Sequence, residues 1–78
     1  MMPEERRLRR MLAEQFGLDE ESLDREMRLE SLDLDSLETL EFLNAIEDEF
    51  DIELADNEFV GCDTLGEVAD LIIDKVRA

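Results

Sequence analysis

The amino-acid sequence predicts a small all-α domain with three principal helices, one short helix and a long first connection. Apolar residues recur at helical spacing in three segments, and capping residues precede two of them. No segment alternates convincingly between apolar and polar residues with a period of two, so strands are not expected. At 78 residues, 44% of them hydrophobic, the chain is predicted to form one domain over residues 1–78.

The first helix is predicted to run from about Pro3 to Phe16. Proline suits a first helical turn, and Gly17 is typical of a helix end. An arginine-rich surface surrounds its apolar stripe, and pairing one turn apart is expected, as between Arg10 and Glu14. The stripe consists of Leu8, Met11, Leu12 and Phe16.

The connection from Gly17 to about Leu34 shows no regular period. Ordered connections of this length are uncommon in compact domains and are often functional. Its apolar residues are expected to turn inward and hold it against the core; they are Leu18, Leu23, Met27, Leu29 and Leu32.

The second helix has the clearest signature. Asp35 is a suitable N-cap residue, and Glu38 follows it three residues later, as in a capping box. The helix is expected to end near Phe50 and Asp51. Its predicted apolar stripe contains Leu37, Leu40, Leu43, Ile46 and Phe50, with Phe42 flanking it.

Two further helices are predicted after a short exit segment. A short helix spans about Asp56–Val60, and a last helix begins after Thr64, whose hydroxyl pairs with Glu67 in a second capping box. Cys62, between these helices, is expected to be a core residue. The last helix is predicted to bury Leu65, Val68, Ala69, Ile72 and Val76.

Composition excludes several function classes. The chain has 24 acidic and 8 basic residues, a net charge of −16, which disfavours nucleic acid and anionic membranes and favours basic protein partners. With no histidine and one cysteine, histidine-dependent catalysis, a disulfide framework and a multi-cysteine zinc site are excluded. We expect a cytoplasmic protein, because no segment could insert in a membrane or act as a secretory signal. We also expect a monomer, and we identify no catalytic or specific metal-binding residue.

Ser36 is the candidate for covalent modification. It lies at the start of the second helix, where unpaired backbone N–H groups favour a phosphate. No histidine is present to activate its hydroxyl, so a separate enzyme would have to act on it. Taken alone, Ser36 is better explained as an ordinary first-turn serine.

The segment from Leu32 to Phe42 resembles the Asp-Ser-Leu attachment segment of acyl carrier proteins. The similarity continues through Ala45–Leu54, Asp56–Glu58 and Thr64–Val68, so that it covers essentially the whole chain. It implies an acyl-carrier-like helical bundle. It also implies a 4′-phosphopantetheine arm on Ser36, transferred from coenzyme A by a Mg²⁺-dependent phosphopantetheinyl transferase.

The resemblance further implies a carrier with no enzymatic activity of its own. Acyl groups would be held as thioesters on the arm and delivered to transferring, ligating or condensing enzymes of fatty-acid, lipid or polyketide biosynthesis. Asp35 would assist the transferase, and Leu37 would be an exposed apolar contact. The acidic residues expected to face basic docking patches are Glu38, Glu41, Glu47, Asp48 and Asp56.

Several positions depart from the family pattern, and other functions stay open. Asp33 stands where glycine is frequent, Asn44 where an apolar residue is usual, Ala55 where proline is common and Phe59 where a small residue is common. A specialised aminoacyl or peptidyl carrier, an unmodified acidic adaptor and a divalent-cation-binding domain are the alternatives. The last lacks the glycine and closing glutamate of an EF-hand loop, and each acidic residue could simply be part of a solvated helix face.

Overall fold

The computed structural model describes residues 3–78 and contains the four predicted helices. They are α1 (Pro3–Phe16), α2 (Ser36–Phe50), α3 (Asp56–Val60) and α4 (Leu65–Val76). The long connection between α1 and α2 contains two 3₁₀ turns, Glu20–Ser22 and Leu29–Leu32. Within residues 3–78 no strand forms, which confirms the all-α prediction.

Phe42 lies at the centre of the core and is completely buried. Its ring makes edge-to-face contacts with Phe16 of α1, at 6.2 Å between ring centroids, and with Phe59 of α3, at 5.6 Å. Three helices therefore meet at one aromatic ring. Around it pack the buried aliphatic side chains Leu8, Leu12, Leu23, Ile46, Val68 and Ile72.

The predicted buried faces of α2 and α4 differ from the structure at four residues, of which Leu37, expected in the apolar stripe of α2, is 64% exposed. Phe42, expected beside the apolar stripe of α2, is at its centre, whereas Leu40 is 51% exposed. The two residues are 200° apart around a helix, so burying one turns the other to solvent. Val76, expected in the buried face of α4, is the last residue of that helix and is 41% exposed.

The first connection is bound to the beginning of α4 by backbone hydrogen bonds. The amide of Leu65 donates to the Met27 carbonyl and that of Gly66 to the Arg25 carbonyl, both at 3.0 Å. The Arg25 guanidinium also pairs with Glu5 of α1 and, at 2.9 Å, with Asp70 of α4. An element that looked irregular in sequence is thus fixed against two helices, which positions the segment leading to α2.

Ion pairs between helices replace the expected pair within α1. Arg7 contacts Glu49 of α2 at 2.8 Å, and Lys75 of α4 contacts Glu58 of α3 at 2.9 Å. The predicted pairing of Arg10 with Glu14 is absent from residues 3–78. On α1, Arg7 therefore forms an ion pair that joins this helix to α2, whereas Arg10 is exposed to solvent.

Cys62 is half-buried and packs against the core, as expected for a cysteine with a structural role. Burial is the main cause that raises the pKa of its thiol, and the nearby carboxylates of Glu67 and Asp63 raise it further. Its thiol is therefore held in the protonated form at neutral pH, which makes it a poor nucleophile.

Candidate functional site

Ser36 is the first residue of α2, and its side chain is exposed. The preceding residue, Asp35, caps the helix: its Oδ1 accepts from the Glu38 amide at 2.7 Å, and the Glu38 carboxylate accepts from the Asp35 amide at 3.2 Å. The predicted capping box is confirmed. These reciprocal bonds fix the backbone on both sides of Ser36 while its hydroxyl faces solvent.

The first turn of α2 suits a phosphate ester on Ser36. The amides of Ser36 and Leu37 precede any carbonyl that could accept them within the helix, so they are available to an anion. The carboxylates of Asp33, Asp35 and Glu38, all within three residues of Ser36 in the sequence, would in contrast repel the phosphate. A phosphate placed here therefore needs covalent attachment or a cation, since simple electrostatic attraction is weak.

The conformation of Asp33 is one that suits glycine, the residue expected at this position from the resemblance. Its φ of 54° and ψ of 43° lie in the left-handed region, where it ends the second 3₁₀ turn. Glycine enters this region without strain, and aspartate is among the few other residues that tolerate it. The departure therefore keeps the backbone geometry and adds a negative charge three residues before Ser36.

An open cavity of about 290 Å³ lies beside the start of α2. Its walls are predominantly apolar, with Glu30, Asp33 and Thr39 as the polar residues of its lining. It can accept an apolar chain that enters from solvent. The apolar lining consists of Leu29, Leu32, Leu34, Phe42 and Phe59.

Sequence reasoning did not identify this cavity, although two of its signals are present in the sequence. The leucines of the first connection are expected to hold it against the core, and Phe59 is expected to be a core residue at a position where a small residue is common. Both features serve the cavity, because the second 3₁₀ turn and α3 face one another across it. A local sequence pattern does not show which two segments of a chain face each other, so the cavity could be recognised only from the tertiary structure.

The predicted partner residues on α2 fall into two groups. Leu37, Glu41 and Asp48 lie within about 40° of one another around the helix axis, on a side turned away from Phe42, and all three are exposed. Leu37 is 64% exposed and directly follows Ser36, so its side chain is accessible to a protein that approaches the start of α2. Asp56 is exposed on α3.

The second group is used within the fold. The Glu47 carboxylate is half-buried and accepts a hydrogen bond from the Leu54 amide at 3.0 Å, which fixes the exit from α2. Glu38 is half-buried and belongs to the capping box. Their carboxylates thus accept hydrogen bonds from backbone amides, whereas those of Glu41 and Asp48 accept none within residues 3–78.

Neither a histidine base nor a metal-ligand cluster accompanies Ser36 among residues 3–78. No histidine can act as a base on the Ser36 hydroxyl, because the chain contains no histidine. Among residues 3–78, no cluster of three or more carboxylate or thiol side chains could hold a metal ion. In the same part of the chain no helix is both long enough and apolar enough to cross a bilayer.

Comparisons with known proteins agree with this geometry. Residues 6–72 match the family model described as the phosphopantetheine attachment site. The chain is 37% identical over 71 residues to an acyl carrier protein of Saccharopolyspora erythraea, an alignment that covers 90% of this chain and 75% of that protein. It is 33% identical over 73 residues to an acyl carrier protein of a Picosynechococcus species, with 92% and 90% covered.

A solved structure shows the same fold. The crystal structure of an acyl carrier protein from Thermotoga maritima superimposes with a TM-score of 0.78 at 24% identity, over 99% of this chain and 96% of that one. Phosphopantetheine is the cofactor of this family, and its members are carriers rather than enzymes. From the extent of the family match and the identity to both relatives, it follows that this chain belongs to the acyl carrier protein family.

Proposed function

We propose that the phosphopantetheine arm is attached at the Ser36 hydroxyl. The observation that carries this proposal is the position of Ser36, exposed at the first residue of a helix whose start is fixed by the Asp35–Glu38 capping box. The other two serines, Ser22 and Ser31, are also exposed but lie in 3₁₀ turns. Only Ser36 combines access for a transferase with the first-turn amides of an α-helix.

A separate phosphopantetheinyl transferase supplies the chemistry that this chain lacks. The Ser36 oxygen forms a new bond to the phosphorus of coenzyme A, the pyrophosphate bond breaks, and the nucleotide portion leaves. The serine proton passes to a base of the transferase, because this chain has no histidine to accept it. When bound, the arm supplies a terminal thiol on which acyl groups are carried as thioesters.

We propose that the cargo has an apolar chain and that the carrier serves fatty-acid, lipid or polyketide biosynthesis. The apolar cavity of about 290 Å³ at the start of α2 supports this proposal, because a mostly apolar pocket favours an alkyl chain over a charged group. In this role the protein acts as a cytoplasmic monomer that presents its cargo to acyl-transferring, ligating or condensing enzymes.

The proposed docking surface consists of Leu37, Glu41 and Asp48 on α2, with Asp56 on α3. Leu37 supplies apolar contact next to Ser36, and the three carboxylates complement a basic patch on the partner enzyme. Each exposed ion pair contributes only about 0–1 kcal/mol, so their main effect is on association rate and orientation. Asp35, Glu38 and Glu47 contribute through the negative potential of the surface, because their carboxylates already bind backbone amides.

The attachment site is tested by modification in vitro. The protein is incubated with coenzyme A, Mg²⁺ and a broad-specificity transferase, and the intact mass is recorded. We expect the addition of one phosphopantetheine group, its loss in Ser36→Ala, and its retention in Ser22→Ala and Ser31→Ala. Failure of the native protein with the transferases of its own host would instead support an unmodified adaptor.

The docking surface is tested by comparing charge-neutral variants in the same reaction. Glu41→Gln is expected to lower kcat/KM by about two- to fivefold, the range for one exposed ion pair. Glu21→Gln, in the first 3₁₀ turn, makes the same change of charge away from the surface and should have little effect. The difference should shrink at high ionic strength, and equal effects of both variants would contradict the proposed surface.

A further inference from the structure

The arginines of α1 form a positively charged surface on a strongly negative protein. Four of the chain's eight basic residues fall within five positions, at Arg6, Arg7, Arg9 and Arg10. Arg6, Arg7 and Arg10 share one side of the helix and, with Pro3, line a shallow groove of about 230 Å³. We call this feature the α1 groove. It lies outside the Ser36 site and its docking surface.

Two arginines of the α1 groove have no partner in the described part of the chain. Among residues 3–78, the side chains of Arg6 and Arg10 make no ion pair and no hydrogen bond. The guanidinium groups of Arg25, Arg28 and Arg77, in contrast, each pair with a carboxylate. In a chain with three acidic residues for each basic one, these two unpaired guanidinium groups leave a site for an external anion.

Arg7 gives the α1 groove a fixed wall. Its guanidinium lies 4.7 Å from the centre of the Phe50 ring and donates to the Glu49 carbonyl at 2.7 Å and to the Glu49 carboxylate at 2.8 Å. This contact anchors α1 to the end of α2. Glu49 follows Ser36 by 13 residues on the same helix, which puts the groove about 20 Å along the axis from the attachment site.

The size of the positive surface indicates which anion it fits. A second groove adjoins the first, shares Arg7 and Arg10 with it, and includes the carboxylates of Glu14 and Glu49. A long polyanion lying along α1 would meet those two carboxylates. A nucleic acid or an anionic bilayer extends past the groove, so it would also come within the Debye length of about 8 Å of acidic surface on this protein of net charge −16 and be repelled there. A short acidic segment between Arg6 and Arg10 avoids both penalties, and arginine binds carboxylates through two parallel hydrogen bonds.

We propose that the α1 groove binds an acidic segment of a partner protein, at a site separate from the one that engages Ser36. Because the two sites lie at opposite ends of α2, one partner could hold the carrier by α1 while an enzyme acts at the other end. This interaction does not depend on attachment of the arm.

The proposal is tested with hexaglutamate peptide and amide NMR titration of the intact chain. We expect shifts confined to residues 6–14, in the native protein and equally in Ser36→Ala. Arg10→Gln should weaken peptide binding at least about threefold through loss of a charge-assisted contact. Arg28→Gln, which changes the net charge by the same amount, should have little effect. Equal losses in both variants would overturn the proposal.

A gain of binding provides an independent check. Glu49→Gln removes the carboxylate that competes for Arg7, so it should tighten peptide binding about twofold, a result that a damaged fold would not give. Unchanged or weaker binding in this variant would contradict the proposal. The proposal would also be contradicted if anionic vesicles, single-stranded DNA or a higher protein concentration, used in place of the peptide, shifted the amide signals of the groove residues. Each of these results would identify a different occupant.

Discussion

A methyl group added at Gly66 tests how closely the first connection is held against α4. Gly66 is buried in the first turn of α4, and its amide donates to the Arg25 carbonyl at 3.0 Å. In Gly66→Ala, the new Cβ would lie 3.0 Å from that carbonyl oxygen and 3.1 Å from the Arg25 Cβ. Ordinary contact begins near 3.4 Å, so the connection must move away by a few tenths of an ångström.

Two effects of opposite sign determine the magnitude. Overpacking a closely packed site costs about 1–3 kcal/mol, and here the movement also lengthens the Gly66–Arg25 hydrogen bond. Replacing glycine by alanine within a helix gains about 0.5–1 kcal/mol. The net expectation is a loss of about 1 kcal/mol, equivalent to a Tm lower by about 4–8 °C for a domain of this size.

Urea unfolding followed by far-UV circular dichroism measures this loss, because the chain has neither tryptophan nor tyrosine for fluorescence. Gly61→Ala is the matched control. Its Cβ would lie 3.5 Å from the Glu58 carbonyl oxygen, an ordinary distance, so this variant should be unchanged or up to about 1 kcal/mol more stable. A Gly66→Ala protein as stable as Gly61→Ala would refute the close packing described here.

Three further predictions concern caps and titration. Asp35→Ala should lose about 1 kcal/mol in urea unfolding through loss of the N-cap, whereas Asp35→Asn should lose little. The hydrogen bond from Lys75, and then that from the Ala55 amide, lower the pKa of Glu58. The stability that the ionised Glu58 adds to the fold is therefore complete above the ordinary carboxyl pKa and is lost as pH falls below about 4. Thermal melts should show a weaker acid dependence in Lys75→Met, and an identical dependence would count against this pair. Because the pKa of the Cys62 thiol is raised, alkylation by iodoacetamide at about pH 8 should be slower than for free cysteine.

The helix bounds could be predicted because their signals are local. Asp35 and Thr64 mark the starts of α2 and α4, and both side chains accept the hydrogen bonds expected of them. Gly17 follows the end of α1 with a φ of 66°, which few other residues adopt readily. Such signals depend on a few neighbouring residues, so they can be read without knowledge of tertiary packing.

The interior and the charge pairs could not be predicted in the same way. Apolar spacing on α2 is compatible with two overlapping stripes, one through Leu40 and one through Phe42. The choice depends on Phe16 and Phe59, which belong to other helices. Likewise, nothing local to Glu47 indicates that its carboxylate accepts from an amide seven residues later. These contacts join distant parts of the chain and are set by packing.

The contact between Phe42 and Phe59 joins the cavity wall to the short helix α3. Five residues are too few for an independently stable helix, so α3 depends on its tertiary contacts, and the Phe59 ring is the buried side chain of that helix. The same ring forms part of the cavity wall, and Asp56 begins the same helix. If filling the cavity and binding at α3 each shift the position of this ring, the two events share a coupling free energy, which by thermodynamic reciprocity acts equally in both directions.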